Sequence, residues 1–218
     1  MPETLLMVFD SLVERLSSSA NRADIVAGRA EFVQKTGTVF EDEALFETRS
    51  AAFLEWYVVE RPTPGTSRAP IWDALATVQR DDAQSALWAW ATSHRSLFVV
   101  SAIADGAVLL FDLLGGSRFR VQERRRLPGV ERGAVMEARL LGWQGSVRFG
   151  RTFLYHPEGV REAILAHASR IRAAGGTRSD IVDFAASLRM RAERYRHVAP
   201  ARLYWAAGTS MARKEAHR

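Results

Sequence analysis

Leu97-Phe-Val-Val-Ser-Ala-Ile-Ala-Asp-Gly-Ala-Val-Leu-Leu-Phe-Asp-Leu113 is the stretch whose reading decides the fold. Residues 97–103 are rich in β-branched and aromatic side chains, which suit a pleated, half-buried surface. Asp105-Gly106 is the dipeptide a two-residue hairpin turn favours, because both residues tolerate positive φ. Residues 107–113 then form the returning strand. Further along, Gly115-Gly-Ser117 marks another turn. Arg118-Phe-Arg-Val121 alternates, so Phe119 and Val121 share one face and Arg118 and Arg120 the other. Pro128-Gly129 breaks the chain. Residues 133–141 predict a fourth strand and residues 147–155 a fifth, joined near Gln144-Gly145. So many short strands between tight turns predict a small antiparallel β-barrel-like module over residues 96–156, of the SH3-like or OB-like kind. An open sheet of that size would leave unpaired edges.

On either side the hydrophobic period changes to that of helices. Leu5, Leu6, Phe9, Leu12, Val13 and Leu16 make an amphipathic helix over residues 3–18. A second covers 22–35, opened by Asn21 or Asp24 and closed by Gly37. A third covers 40–59, its acidic start Phe40-Glu-Asp-Glu43 favoured by the helix dipole. Phe46, Phe53, Trp56 and Tyr57 gather on one side of it. Residues 61–67 are a breaker-rich loop, and short helices follow over 69–79 and 82–93. After the β module, His156-Pro157 predicts a helix start, with Val160, Ile164, Leu165, Ala168 and Ile171 as its stripe and Gly175-Gly176 as its end. Ser179 or Asp180 caps the next helix, to about 196. Pro200 precedes a short apolar piece, Leu203-Tyr-Trp205. The expected class is α+β: a helical segment (1–95), the β module (96–156) and a basic helical tail (157–218), packed as one compact unit.

The 218 residues include no cysteine, which excludes disulfides, thiolate nucleophiles, Cys-ligated zinc and iron–sulfur clusters. The amino terminus lacks the positive n-region of a signal peptide, and no apolar run is long enough to cross a membrane. A cytoplasmic protein is expected. The net charge of +5 is unevenly spread: −6 over residues 1–60, −1 over 61–115 and +12 over 116–218. A basic half fits nucleic acid or another anionic surface. It fits equally a molecule whose acidic and basic halves face each other or a protein partner. Arginine supplies 28 of the 30 basic residues, a skew that GC-rich coding also imposes, so charge alone does not choose between these readings.

No local catalytic signature is present: no GxGxxG, GxxxxGK[ST], GxSxG or HExxH. The histidines are scattered, with His167 beside an apolar stripe, and neither a metal nor a cofactor is expected. Glu43 and Glu47 have the spacing of a carboxylate metal site but lack a second pair. The residues placed to meet an anion or nucleic acid are Arg118, Arg120, Arg124, Arg125, Arg126, Arg148 and Arg151, in or beside the strands. Arg139 falls on the face opposite Met136. Phe98, Phe111, Phe119, Phe149 and Phe153 mostly lie on apolar faces, as core rather than as a stacking platform. The arginines of the 179–196 helix surround its apolar face, as solvated flanks do, rather than forming the stripe of a recognition helix.

Phe53-Leu-Glu-Trp-Tyr-Val-Val-Glu60, Pro64-Gly65, Leu97-Phe-Val-Val100, Leu109-Leu-Phe-Asp-Leu-Leu-Gly115 and Gly133-Ala-Val-Met-Glu-Ala-Arg-Leu-Leu141 together resemble a group of bacterial proteins in which a helical half feeds a small β module. Some members end in a SEC-C-type zinc-chelating motif. This chain, without cysteine, has none, and the resemblance implies no activity and no site residues. The expected function is that of a non-enzymatic binding or adaptor protein with a protein partner. A nucleic-acid-binding protein is the alternative, and an enzyme with a site of scattered residues the third reading.

Overall fold

The structure, a computed structural model, describes residues 1–18, 21–79, 81–124 and 127–215. Within them α1 (Glu3–Leu16), α2 (Arg22–Thr36), α3 (Phe46–Val59), α4 (Pro70–Thr77) and α5 (Asp81–Ala91) come first. The strands β1 (His94–Ala104), β2 (Ala107–Asp112), β3 (Arg118–Gln122), β4 (Val135–Trp143) and β5 (Ser146–His156) follow, then α6 (Arg161–Ala173), α7 (Arg178–Arg194) and α8 (Pro200–Glu215). The chain is α+β, and no helix among the described residues is long and apolar enough to cross a membrane.

The strands hydrogen-bond in the order β1-β2-β3-β5-β4, and β4 returns to β1. The sheet is mixed, which corrects the expected all-antiparallel arrangement. β4 is antiparallel to β1, and the hairpin to β5 reverses direction again, so β5 reaches β3 running parallel to it. A single pair, Val121 with Val147, makes that seam, so the ring is not a regular barrel. The β1–β2 and β4–β5 hairpins turn on two residues of positive φ, Asp105-Gly106 and Gln144-Gly145, as the twist of the flanking strands favours. Register shifts between Val100 and Ala102 in β1 and between Ala138 and Leu140 in β4 bend the sheet on itself.

Inside the ring sit Phe98, Val100, Val108, Leu110, Val121, Met136, Leu140 and Phe149. Outside it, the helices divide the sheet between them. Leu141 and Trp143 of β4 join a core with Phe9, Phe53, Trp56 and Trp90 of α1, α3 and α5, where Trp90 donates its indole N–H to the Leu5 carbonyl at 3.0 Å. Leu97 of β1 and Val135 of β4 join Ile164, Ile181, Val182 and Tyr204 of α6 to α8. The outward row of β4 is therefore buried like the inward one along almost its whole length, its charged members Glu137 and Arg139 included.

Helix α3 begins at Phe46, later than the acidic run foretold. Glu43 instead accepts the Phe40 backbone N–H at 2.8 Å and pairs with Arg194 of α7 at 3.0 Å, which fixes residues 40–45 as turns. Residues 157–159 likewise form a turn before α6 starts at Arg161. Pro200 opens a full helix rather than a short piece, its fixed φ suiting a first helical position.

Candidate functional site

β3 is the strand whose outward row the helices leave open: Arg118, Arg120 and Gln122 are all exposed. Val121 and Val147 both point inward, so on the adjoining β5 the outward neighbours of this row are Ser146, across from Arg120, and Arg148, across from Gln122 and beside Leu141 of β4. Among the described residues no carboxylate pairs with Arg118, Arg120 or Arg148; Arg148 reaches only the Ser146 hydroxyl, at 3.1 Å. Arg124, also exposed, lies past the end of β3, its stem beside the β1–β2 turn at Gly106. Arg125 and Arg126 lie outside the described residues. Arg151 is not part of this row: its side chain pairs with Asp10 of α1 and lies over the Phe9 ring. Half-buried Leu109 and Phe111 of β2 stand across from Arg120 and Arg118. Phe119, Phe149 and Phe153 belong to the interior, and Phe111, half-buried against the core of α6 to α8, is the aromatic ring beside Arg118 on the open face.

The remaining charges of the sheet are buried between it and the helices. Arg95 of β1 gives Nε and Nη2 to Glu137 at 2.9 and 2.7 Å and Nη1 to Asp183 of α7 at 2.8 Å. Arg139 of β4 donates to Glu55 of α3 at 3.1 Å and to Ser93 at 3.0 Å, and also pairs with Glu60. Gly150 makes room for this: a Cβ there would stand 3.1 Å from the Arg139 Cβ and 3.4 Å from the Glu55 carboxylate. Glu55 in turn accepts the Arg151 backbone N–H at 2.7 Å where the β4–β5 ladder is interrupted. Burial alone would raise the Glu60 carboxyl, but Arg95 and Arg139 hold it down at about 2. For Glu55 burial prevails over Arg139 and its pKa is raised. Arg49 of α3 lies over the Phe32 ring, 4.0 Å from Glu137, and its terminal nitrogens find no hydrogen-bond acceptor among the described residues. The cavity these groups enclose is about 10 Å³, too small for any substrate, so the cluster is a structural joint between α3, β1, β4 and α7.

A second polar knot closes one end of the ring. Asp112 accepts from Ser96 Oγ at 2.6 Å, His94 Nε2 at 2.8 Å and the Leu114 backbone N–H at 2.9 Å. Burial opposes its charge, but these donors outweigh burial and hold it at about 2. Serine, histidine and aspartate meet here, yet Ser96 is fully buried and bonded to the aspartate rather than to the histidine, so it is not an activated nucleophile. Two further histidines anchor α8: His156 Nδ1 meets the Tyr204 hydroxyl at 2.9 Å and His167 Nε2 the Tyr204 carbonyl at 2.7 Å. Among the described residues no three of His, Cys, Asp or Glu converge as metal ligands would. Helix α7 buries Ile181, Val182, Ala185, Leu188 and Met190, as a packed helix rather than a recognition helix does.

One feature the sequence reading missed is an open cleft of about 690 Å³ between α4, α5 and the β4–β5 turn, with Trp88, Trp143 and Gln144 in its wall. A signal for it was available. Trp88 and Trp90 are two residues apart on a helix, about 200° around the axis, so the core can take only one. Trp90 is fully buried and Trp88 is 55% exposed.

No family model, curated protein or solved structure matches the chain.

Proposed function

We propose that the protein binds single-stranded nucleic acid, with the outward row Arg118, Arg120 and Arg148 taking the phosphates. That row carries the reading: Arg118 and Arg120 on the open outward face of β3, with half-exposed Arg148 on the adjoining strand across from Gln122, none of them paired with a carboxylate among the described residues. Arginine in such a row offers planar, always-charged donors to phosphate. The strand order, with β3 parallel to β5, favours the OB-like over the SH3-like form of the expected module. Proteins of the OB type use the β2–β3 face and the β1–β2 and β4–β5 loops for oligonucleotides. That support is an analogy of fold, and the arginines are the physical part of the case.

Titration of a labelled strand of about twelve nucleotides, within the usual site size of such modules, tests it. Binding is expected near 50 mM salt and should weaken towards 200 mM, with a log–log slope of about −2 for three phosphates neutralised on a single strand. Absence of binding at low salt, or affinity indifferent to salt, would contradict the proposal. The inward turn of the phenylalanines favours one other occupant, an acidic protein segment, which needs no stacking surface. In that case polyglutamate would displace the oligonucleotide as well as a second oligonucleotide does.

A further inference from the structure

The arginine row supplies charge with only the half-buried Phe111 beside it, and the cleft next to it has the opposite character. Its volume, about 690 Å³, is that of a ligand site. Trp88 presents an indole that is 55% exposed, held edge-on by Trp72 with ring centroids 6.0 Å apart at 89°. Around it stand two carboxamides, Gln84 and Gln144, the Ser85 hydroxyl and the Asp82 carboxylate. None of the described lining residues is a cation, so a phosphate gains nothing there. A flat, neutral ring with donors and acceptors on its edge gains both stacking and hydrogen bonds. Carboxamides pair with adenine edges and carboxylates with the cytosine amino group.

Position joins the cleft to the row. In the β4–β5 hairpin Trp143 pairs with Ser146 and Leu141 with Arg148. Arg148 is thus the diagonal neighbour of Trp143, roughly 7–8 Å away between Cα atoms, and on its other side the Val121–Val147 pair sets it across from Gln122, diagonal to Arg120. We infer that the cleft is a nucleobase subsite, in which Trp88 stacks one base of the strand whose phosphates lie along Arg118, Arg120 and Arg148. This inference rests on the nucleic-acid reading above and adds to it where one base is held and by which side chains.

The test compares the native protein, Trp88→Ala and Trp88→Phe on two strands of equal length, one with bases and one abasic. The native protein should prefer the strand with bases. Trp88→Ala should weaken that strand about five- to a hundred-fold, the usual range for losing one stacked base, and leave the abasic strand and the salt slope unchanged. Trp88→Phe should restore most of the loss. Circular dichroism checks that the variants fold, which the exposure of Trp88 favours. If Trp88→Ala binds both strands like the native protein, the subsite is overturned while the arginine row stands. If the native protein binds neither strand, the nucleic-acid reading falls and the subsite with it.

Discussion

At the scale of single residues, the buried charges decide how this molecule responds to mutation and to acid. Arg95 satisfies Glu137 and Asp183 and reaches Glu60, and its own side chain is only 9% exposed. Removing one partner from such a joint strands the others without water or counter-charge. Arg95→Met is expected to cost about 3–5 kcal/mol, read as a lowered urea midpoint, although methionine fills similar space. His156 responds in the other direction of charge. Burial pushes its imidazole down from 6.5 to about 4, with Arg189 and Arg49 adding to that and Glu137 opposing it. Between those values the unfolded chain binds a proton that the folded chain refuses, so the stability is complete above pH 6.5 and is lost as pH falls towards 4. Glu60, held at about 2 against its ordinary 4.5, continues the loss lower down, while the raised Glu55 and Asp183 offset part of it. Urea unfolding between pH 6.5 and 4 should show stability falling by up to about 1.4 kcal/mol per pH unit. His156→Gln should flatten that slope; an unchanged slope would show that other groups bind the protons.

At the scale of elements, local chemistry was legible and long-range pairing was not. Period-two alternation and the turn dipeptides Asp105-Gly106 and Gln144-Gly145 located all five strands to within a few residues, because each depends only on its neighbours. The pairing of β3 with β5 depends on the path of residues 123–134 and on which edges meet, and no local pattern encodes it. The start of α3 was misplaced because Glu43 has its partner, Arg194, 151 residues away. A local device was misassigned as well: Ser179 or Asp180 was expected to cap α7, but both lie in its first turn and the cap is Thr177, which accepts the Asp180 backbone N–H at 3.2 Å while Asp180 accepts the Thr177 N–H at 2.8 Å. Thr177→Ala should cost about 1 kcal/mol by chemical denaturation, and Thr177→Ser close to nothing.

At the scale of the whole molecule, the uneven charge of the chain is partly spent inside it. Arg139, Arg151 and Arg194 of the basic half pair with Glu55 and Glu60, Asp10 and Glu43 of the acidic half. The expectation that acidic and basic halves face each other thus accounts for these contacts, and Glu137 and Arg139 could have been suspected from their place in an apolar strand. Among the described residues the same pairing leaves Arg118, Arg120 and Arg148 without a carboxylate, as it does Arg161, Arg191 and Arg202 on the helices, and what sets the first three apart is their place on the open face of β3 and β5. Alternation alone placed Arg118 and Arg120 on one face, but that Arg148 joins them required the strand order. Whether this row is the binding surface is tested most directly by charge-matched variants. Arg118→Ser/Arg120→Ser/Arg148→Ser is compared with Arg161→Ser/Arg191→Ser/Arg202→Ser, which removes three exposed arginines from α6, α7 and α8. At low salt the first variant is expected to lose single-strand binding and its salt slope, and the second to keep both. Equal loss in the two variants, or binding undiminished in the first, would contradict the assignment of the phosphates to the open face of β3.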